Sequence, residues 1–511
     1  MPLAASFAQP PASGPLASID MGSNSFRLEI GQLRDGRYRR LQYLKETVRL
    51  GAGLDAQGLL TEEASERGLA CLRRFAGTLS GMRPGQVRAV ATQTLREARN
   101  RDAFLRRAQE ALGFPIEVIS GREEARLIYA GVAKLQPSHA ERLVIDIGGR
   151  STEMILGCGR TPSRAESFQV GSVSLSMRYF ADGRFSAEAF RAAQIAAGAE
   201  FEEALQPFAR SLWKEALGSS GTAGAVSEVL RDCGVTDGRI TPDGLRWLMQ
   251  RCIEAGSADK LNLPGMKADR KPVIGGGLAI LYTLAMHFQI DALLPAKGAL
   301  RQGVIVDLHD RLLAHERAPG GDAHADSVRV LQKRFEVDTA QAARVTDVAT
   351  ELYTQLAAQP DEQALTALRR AAQLHELGRM VSHHDHHRHS AYLLAHVDAP
   401  GWSQSEQRQL AELVLGQRGG LKKVDELIRR GDAVLQLLSL RLAVILCHAR
   451  GGDEPTPQSL QLQRKADKVT LQTGAEWANL HPRTLHLLRE EAQAWSDPTL
   501  PISLVIGPTK R

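Results

Sequence analysis

Short apolar runs that end in an aspartate and a glycine-containing turn occur twice in the first half of the chain. Residues 17–19 lead to Asp20, and residues 143–145 lead to Asp146. Each turn is followed by a second apolar run, which predicts a strand, a tight loop and another strand. When the two aspartates are aligned, a glycine two positions on and a serine five positions on also coincide. We therefore interpret the two segments as a repeated hairpin.

The patterns around these hairpins predict an α/β region, because strand-like and helix-like segments alternate. The predicted strands cover residues 26–50 around a turn at Asp35 and Gly36, and residues 87–92, 116–119 and 212–217. A glycine-rich loop is predicted at residues 218–225. One predicted helix begins near Thr61, a second ends at Leu112, and a third begins at Ser120. Further helices are predicted around residues 186–206 and 241–256, from Gly275 onward, and over residues 299–313.

The second half has a different pattern. Residues 315–326, HERAPGGDAHAD, have the composition of a linker. Beyond them the pattern is almost wholly helical to about Arg450, and a second break follows at residues 451–458. Alternating segments at residues 459–463, 468–471 and 502–506 then predict a small β-containing subdomain.

Composition is that of a soluble globular protein, with 43% apolar and 24% charged residues. A net charge of +6 favours an anionic partner, although a mildly basic enzyme without such a partner has the same charge. Five scattered cysteines without CxxC spacing predict a reducing, cytoplasmic setting. The first 18 residues lack a basic region and are not expected to be a signal peptide. No apolar run predicts membrane insertion, and no aromatic-interleaved basic patch supports nucleic-acid binding.

The two hairpins carry the candidate chemistry. Glycines allow backbone amides to approach a ligand closely, and consecutive amides form an anion-binding nest. A carboxylate beside such a nest can hold a divalent metal ion that phosphate oxygens also contact. One hairpin alone is equally compatible with an ordinary glycine turn, but its repetition favours a metal–polyphosphate site between two facing hairpins.

An ordered set of motifs resembles the exopolyphosphatase / guanosine-pentaphosphate phosphohydrolase family of the actin-like ATPase superfamily. The matching segments are residues 20–25, 94–96, 120–126, 146–153 and 220–222, and residues 374–378 and 387–392 resemble the long members of that family. The resemblance covers about residues 16 to 500. It implies two ribonuclease-H-like domains at residues 16–128 and 129–314, an all-α HD-like domain at 315–452, and a small α+β subdomain at 453–511.

The resemblance also implies an activity, which is metal-assisted hydrolysis of the terminal phosphoanhydride bond of inorganic polyphosphate with release of orthophosphate. A guanosine-pentaphosphate phosphohydrolase is the closest alternative, and an actin-like ATPase switch or scaffold is a rival of another class. The implied ligands are Mg²⁺, with a monovalent cation as a further candidate. A homodimer is expected, and peripheral membrane association stays open.

Site residues follow from the same resemblance. Glu124 is the candidate general base. Position near a helix start alone favours a capping role for either Glu123 or Glu124, and the family pattern selects Glu124 as the base. The candidate metal-site residues are Asp146, Glu153 and Asp20. The candidate phosphate-binding residues are Gly22, Ser23, Asn24, Ser25, Arg96, Gly148, Gly149, Arg150, Ser151, Thr152, Ser220, Gly221 and Thr222.

Arg150 departs from the family pattern, which has glycine there. One interpretation is an additional cation on the phosphate chain. The other, which we prefer, is a guanidinium turned outward to solvent. An Arg150→Gly variant with unchanged affinity would support the second interpretation.

Seven of the 15 histidines lie between residues 375 and 396. The His-Asp pair that defines HD domains is replaced by His375-Glu376, so we expect a degenerate domain without a second hydrolytic site. The alternative use of this region is as a basic surface. The candidates for guiding a polyanion are His387, Arg388, His389, Lys422 and Lys423.

Overall fold

A computed structural model describes the chain at residues 14–34, 36–317, 324–357, 359–399, 401–431, 433–450 and 460–508. The chain divides into two compact units, residues 1–322 and 323–511. Residues 318–323 of the predicted linker lie outside the described residues, and so does the predicted second break at residues 451–458. Of the remaining predicted linker, residues 315–317 continue a helix and residues 325–326 begin the next one, so these positions are helical.

The first unit begins with a five-stranded sheet. Its strands are β1 (Leu16–Met21), β2 (Phe26–Arg34), β3 (Arg37–Glu46), β4 (Val87–Ala91) and β5 (Ile116–Val118). The order is β3-β2-β1-β4-β5. Strands β1, β2 and β3 pair antiparallel, whereas β1, β4 and β5 pair parallel. The predicted first hairpin is therefore confirmed as β1–β2.

A second sheet repeats this arrangement. Its strands are β6 (Arg142–Ile147), β7 (Thr152–Cys158), β8 (Thr161–Phe168), β9 (Glu215–Ser219) and β10 (Leu294–Pro295). The order β10-β9-β6-β7-β8 is that of the first sheet, with an antiparallel side and a parallel side. The second hairpin is confirmed as β6–β7, and both predicted hairpins hold equivalent places in their sheets.

Ten helices of the first unit flank these sheets. They are α1 (Glu62–Thr78), α2 (Gln93–Glu97), α3 (Arg101–Leu112), α4 (Gly121–Leu135), α5 (Ser172–Tyr179), α6 (Ala187–Phe201), α7 (Ser220–Asp232), α8 (Pro242–Ala255), α9 (Ile274–His287) and α10 (Leu300–Arg317). The starts predicted near Thr61 and Ser120 are confirmed, because each of these side chains accepts a hydrogen bond from the first turn of its helix.

Helix α4 joins the two halves of the first unit. Its buried apolar residues share one core with Val90 of the first sheet and Val144 of the second. It also crosses α10 at two glycines, where a Cβ on Gly303 would overlap the carbonyl oxygen of Leu127 and a Cβ on Gly131 would press on Gly303. This close approach fixes the start of α4, and therefore its first acidic residues, between the sheets.

The glycine loop predicted at residues 218–225 is not a loop. Strand β9 continues to Ser219, and helix α7 begins at Ser220, so the chain turns at a single residue with a φ of +69°. The strand predicted at 212–217 begins three residues later and ends two residues later than predicted. Apolar and small residues in this stretch fit a strand end or a first helical turn equally well, so the sequence did not separate them.

The second unit is helical with a three-stranded sheet near its end. Its helices are α11 (Ala325–Arg334), α12 (Thr339–Leu356), α13 (Glu362–Leu374), α14 (His386–His396), α15 (Gln404–Gly416), α16 (Asp425–Ile428), α17 (Ala433–Leu446), α18 (Ala475–Leu480) and α19 (Pro482–Ala494). The strands are β11 (Leu460–Lys465), β12 (Lys468–Thr473) and β13 (Ser503–Pro508). All three predicted strands are confirmed.

One hydrophobic core serves both parts of the second unit. Leu462, Val469 and Leu504 of the sheet belong to the same buried cluster as Leu437 of α17. A buried ion pair adds to this packing, because Arg441 of α17 donates to Glu491 of α19 at 2.5 and 2.7 Å. Across the described ranges, no helix has the length and apolar character needed to span a membrane.

Candidate active site

The turns of the two repeated hairpins meet at one cavity of about 70 Å³ in the first unit. Asp20, near the end of β1, and Asp146, near the end of β6, both line it. Thirteen of the predicted site residues line the cavity: Asp20, Gly22, Ser23, Asn24, Ser25, Glu124, Asp146, Gly148, Gly149, Ser151, Ser220, Gly221 and Thr222. The structure therefore brings the two acidic hairpins together.

The two turns touch each other directly. A Cβ on Gly149 would lie 3.1 Å from the Cβ of Ser23 and 3.5 Å from the amide nitrogen of Asn24. Within the second turn, the amide of Gly148 donates to the carbonyl oxygen of Ser151 at 2.9 Å. The absence of a side chain at Gly149 thus permits the backbone of one turn to approach the other.

Gly171 packs behind the second turn, and this close contact was not apparent from the sequence. A Cβ on Gly171 would fall far inside contact distance of the backbone of Gly149 and Arg150. We expect Gly171→Ala to push the turn out of place, with a destabilisation of about 1–3 kcal/mol and a lower kcat/KM. Thermal melting and steady-state kinetics measure the two effects. Gly224→Ala is the matched control, because a Cβ at Gly224 meets nothing within 4 Å; equal losses in both variants would contradict the prediction.

The carboxylates of the site are buried close to one another, and this environment disfavours their charge. Burial is the main cause that raises the pKa of Asp146 to about 6, against the opposing effects of Ser219 and Arg27. Burial likewise raises the pKa of Glu124 to about 7, with Arg96 opposing and the charges of Asp146 and Asp20 contributing. A bound cation would offset both the burial and the mutual repulsion of these carboxylates.

Glu124 is held at the cavity by Arg96. The Nη1 of Arg96 donates to Glu124 Oε2 at 2.8 Å and to the carbonyl oxygen of Ile119 at 2.9 Å. Its remaining nitrogens, Nε and Nη2, donate to Gln93 Oε1. The guanidinium predicted to bind phosphate therefore lies behind Glu124, outside the cavity lining.

Three more of the predicted residues also lie outside the lining. Thr152 is fully buried and donates from Oγ1 to the carbonyl oxygen of Val170 at 2.6 Å. Glu153 pairs in register with Asp146, and its Oε1 accepts from Ser167 at 2.8 Å. Its Oε2 is buried and has no hydrogen-bond partner among the residues that the structure describes. The pKa of Glu153 is raised well above its usual value, first by burial and then by the charges of neighbouring carboxylates.

Arg150 is the fourth, and its preferred interpretation was wrong. The side chain is 22% exposed and is not turned to solvent. Its Nε and Nη2 donate to Glu97 Oε2 at 2.9 and 2.6 Å, and its Nη1 donates to the carbonyl oxygen of Gly51 at 3.2 Å. The guanidinium thus connects the second turn to the first half of the unit, because its partners come from a part of the chain that local sequence cannot reveal.

Three arginines that the sequence analysis missed line the cavity. Arg27 donates to Asp20 Oδ2 at 3.3 Å, and Arg301 lies 3.9 Å from the same oxygen. Arg270 packs against Gly221, where a Cβ would overlap its guanidinium. Hairpin register could have found Arg27, since it is the cross-strand partner of Asp20. No local pattern marks the other two, which approach from distant helices and loops.

The carboxylates fit a particular kind of metal ion. No group of three or more His, Cys, Asp or Glu side chains in the part of the chain that the structure describes could hold a metal ion by itself. Mg²⁺ commonly binds through one or two carboxylates together with water and substrate phosphates. Asp20 and Asp146 at one cavity meet that requirement, and the unpartnered Oε2 of Glu153 lies on the strand beside them.

The second unit places His375 and Glu376 in a buried ion-pair network. His375 Nδ1 lies 2.6 Å from the carbonyl oxygen of Ala372, and burial lowers the pKa of the imidazole. Glu376 Oε1 accepts from Arg379 at 3.0 Å and also from Arg450. The carboxylate of Glu376 is therefore engaged by two guanidinium groups.

One cavity of about 700 Å³ in this unit is lined by four of the predicted polyanion-guiding residues, which are His387, Arg388, Lys422 and Lys423. Burial, followed by the charges of neighbouring arginines, lowers the pKa of Lys423 to about 8. His389, the fifth, is not part of the lining. The cavity is basic but not purely so, because three aspartates also line it.

Comparisons with known proteins agree with this fold and site. The family model for the Ppx/GppA phosphatase family matches residues 30–312, and the model for domain III of Ppx/GppA phosphatase matches residues 324–492. An exopolyphosphatase from Cytophaga hutchinsonii is similar in structure, with 25% identity and a TM-score of 0.52 over 58% of this chain and 98% of its own. An exopolyphosphatase-like protein has 25% identity and a TM-score of 0.53, with the same coverage.

Two sheets of the same strand order, whose hairpins meet at one cavity, are consistent with the fold of the actin-like ATPase superfamily. The chain belongs to the Ppx/GppA phosphatase family.

Proposed function

We propose that this protein is an exopolyphosphatase, which hydrolyses the terminal phosphoanhydride bond of inorganic polyphosphate with Glu124 as general base. The observation that carries the proposal is that Asp20, Asp146 and Glu124 line one cavity with both glycine turns. Arg27, Arg270 and Arg301 line the same cavity, and three cations beside two glycine turns suit a multiply charged phosphate chain. Similarity to an exopolyphosphatase adds support.

The protein's own groups have distinct tasks in this reaction. Backbone amides of the two turns donate to phosphate oxygens, and so does the hydroxyl of Ser25, which has no hydrogen-bond partner in the described part of the chain. Arg27, Arg270 and Arg301 neutralise non-bridging oxygens as charge spreads over them. A Mg²⁺ ion bound at Asp20 and Asp146 would supply Lewis-acid stabilisation of the phosphate charge.

Glu124 takes the proton of the attacking water. A general base works best when its pKa lies near the working pH, and burial places the pKa of Glu124 at about 7. Arg96 keeps the carboxylate oriented through its 2.8 Å hydrogen bond. The orthophosphate leaves from the cavity, and the shortened chain retains its new terminal phosphate.

A substrate comparison tests the proposal. Orthophosphate release is measured with Mg²⁺ from long polyphosphate, guanosine pentaphosphate and ATP at equal concentrations of terminal phosphate. We expect the highest kcat/KM with polyphosphate. A preference for guanosine pentaphosphate would replace the proposed substrate while keeping the chemistry, and a preference for ATP would overturn both.

Arg270 is expected to contribute to substrate affinity. Within the described ranges, the carboxylate that pairs with Arg270 is that of Asp269, at the long distance of 4.0 Å, so the guanidinium is available to a ligand in the cavity. A hydrogen bond to a charged group contributes about 1.5–3 kcal/mol, so Arg270→Ala should raise KM by about 10- to 150-fold. Arg239→Ala, which removes an exposed arginine paired with Asp237, is the control. An unchanged KM in Arg270→Ala would contradict this role.

Several expectations stay predictions. They are the monovalent cation, the homodimer, the cytoplasmic setting and the four domain boundaries.

We also propose that the basic cavity of the second unit contacts the polyphosphate chain. Binding by displacement of counterions predicts that affinity for long polyphosphate falls steeply with salt, by analogy with nucleic acids.

A further inference from the structure

Arg150 is linked to the candidate base by a continuous series of hydrogen bonds that crosses from one half of the first unit to the other. It begins at Arg150, which donates twice to Glu97 Oε2. The other oxygen of Glu97 accepts from Gln93 Nε2 at 2.6 Å. Gln93 Oε1 accepts from Arg96 at 2.9 and 2.6 Å, and Arg96 donates to Glu124 at 2.8 Å.

Helix α2 carries the middle of this series. It is only five residues long, and it contains Gln93, Arg96 and Glu97. Each of these three side chains is bonded to another member of the series, so a displacement of Glu97 is passed to Arg96 through one amide group. The amide of Gln93 has a fixed orientation here, because its oxygen accepts from a cation and its nitrogen donates to an anion.

The series starts at the phosphate-binding turn itself. Gly149, the residue before Arg150, leaves space for Ser23 of the first turn, because a Cβ on Gly149 would lie 3.1 Å from the Cβ of Ser23. The Nη1 of Arg150 also donates to the carbonyl oxygen of Gly51, whose amide donates to the carbonyl oxygen of Ser23 at 2.8 Å. The position of the second turn is thereby connected both to the first turn and to the partner of the base.

We propose that Arg150 is a positioning residue that ties the second turn to the orientation of Glu124 through Glu97, Gln93 and Arg96. The proposal rests on the proposed function, because it assigns no separate activity. Arg150 touches Glu97 and does not line the cavity, so it acts through Arg96 rather than on the phosphate. A small misplacement of a catalytic group lowers turnover without an equal loss of substrate binding.

The test is a kinetic comparison of variants along the series, with polyphosphate and Mg²⁺. We expect Arg150→Met and Gln93→Leu each to lower kcat by about 10- to 100-fold while KM changes by less than about threefold. Arg150→Lys, which keeps the charge toward Glu97, should restore part of the lost kcat. The double variant should be no worse than either single variant, because both break one series.

Arg160→Met is the control, since Arg160 forms an exposed ion pair with Asp310 in the same unit. Thermal melting of every variant shows whether the fold is retained. A raised KM with unchanged kcat in Arg150→Met would show that Arg150 binds phosphate, and it would overturn the proposal, as would additive losses or wild-type kinetics. If Glu124→Gln also turns over normally, the proposed function fails; if only Arg150→Met does, the coupling alone fails.

Discussion

Glu124→Gln is expected to lose about 10²–10⁴-fold in turnover while the fold and substrate binding are retained. The amide has the same shape as the carboxylate but cannot accept the proton of the attacking water. Burial raises the pKa of Glu124 to about 7, which suits a base near neutral pH. Orthophosphate release measured under saturating polyphosphate gives the turnover, and equilibrium binding of polyphosphate gives the affinity.

Glu123→Gln is the matched control for this variant. The neighbouring carboxylate is also buried, but it accepts from Arg126 at 2.7 and 2.8 Å and does not line the cavity. We expect Glu123→Gln to lower stability and to keep turnover. Near-normal turnover in Glu124→Gln, or an equal loss in Glu123→Gln, would remove Glu124 from the role of base.

Asp146→Asn is expected to lower turnover by about 10²–10³-fold, because a metal ion at a phosphoryl group contributes several kcal/mol.

The same variant should stabilise the metal-free protein at pH 8. Burial raises the pKa of Asp146 to about 6 from about 3.9 in an unfolded chain, so the folded state binds more protons between these values. Stability is therefore lost as the pH rises through about 4 to 6, and asparagine avoids that loss of about 2–3 kcal/mol.

Thermal melting in the presence of a chelator, at pH 8 and at pH 4, measures this effect. The gain in Asp146→Asn should be present at pH 8 and nearly absent at pH 4. Asp307→Asn is a control of opposite sign, because Arg126, Arg311 and Arg88 lower the pKa of Asp307 despite its burial. That variant should lose stability at pH 8, and a loss in Asp146→Asn at pH 8 would contradict the stated origin of its pKa.

The parts of the site that depend on local pattern were predictable. An apolar run, an aspartate and a glycine turn lie within a few residues of each other, so both hairpins and their meeting at a cavity could be expected. Strand β8 was missed because its residues are mostly polar and partly exposed at the sheet edge. Its position was therefore set by pairing with β7 and not by burial.

The parts that depend on distant contacts were not predictable. Arg270 and Arg301 reach the cavity from segments more than a hundred residues from either hairpin. Arg150 was misinterpreted because its partner, Glu97, lies 53 residues earlier in the chain. Arg96 was placed on phosphate, whereas its hydrogen bonds go to Gln93 and Glu124. Local sequence identifies such residues as cations but does not determine which anion each one meets.

The interior shared by the helices and the sheet of the second unit limits how the protein can be shortened. Trp495, with no exposed surface, and strand residues such as Val469 form part of the wall against which α17 packs. A truncation after Arg450 would remove these residues and expose a large apolar surface to solvent, which favours aggregation. Shortened versions for laboratory work should therefore keep everything beyond residue 323 together, or remove all of it.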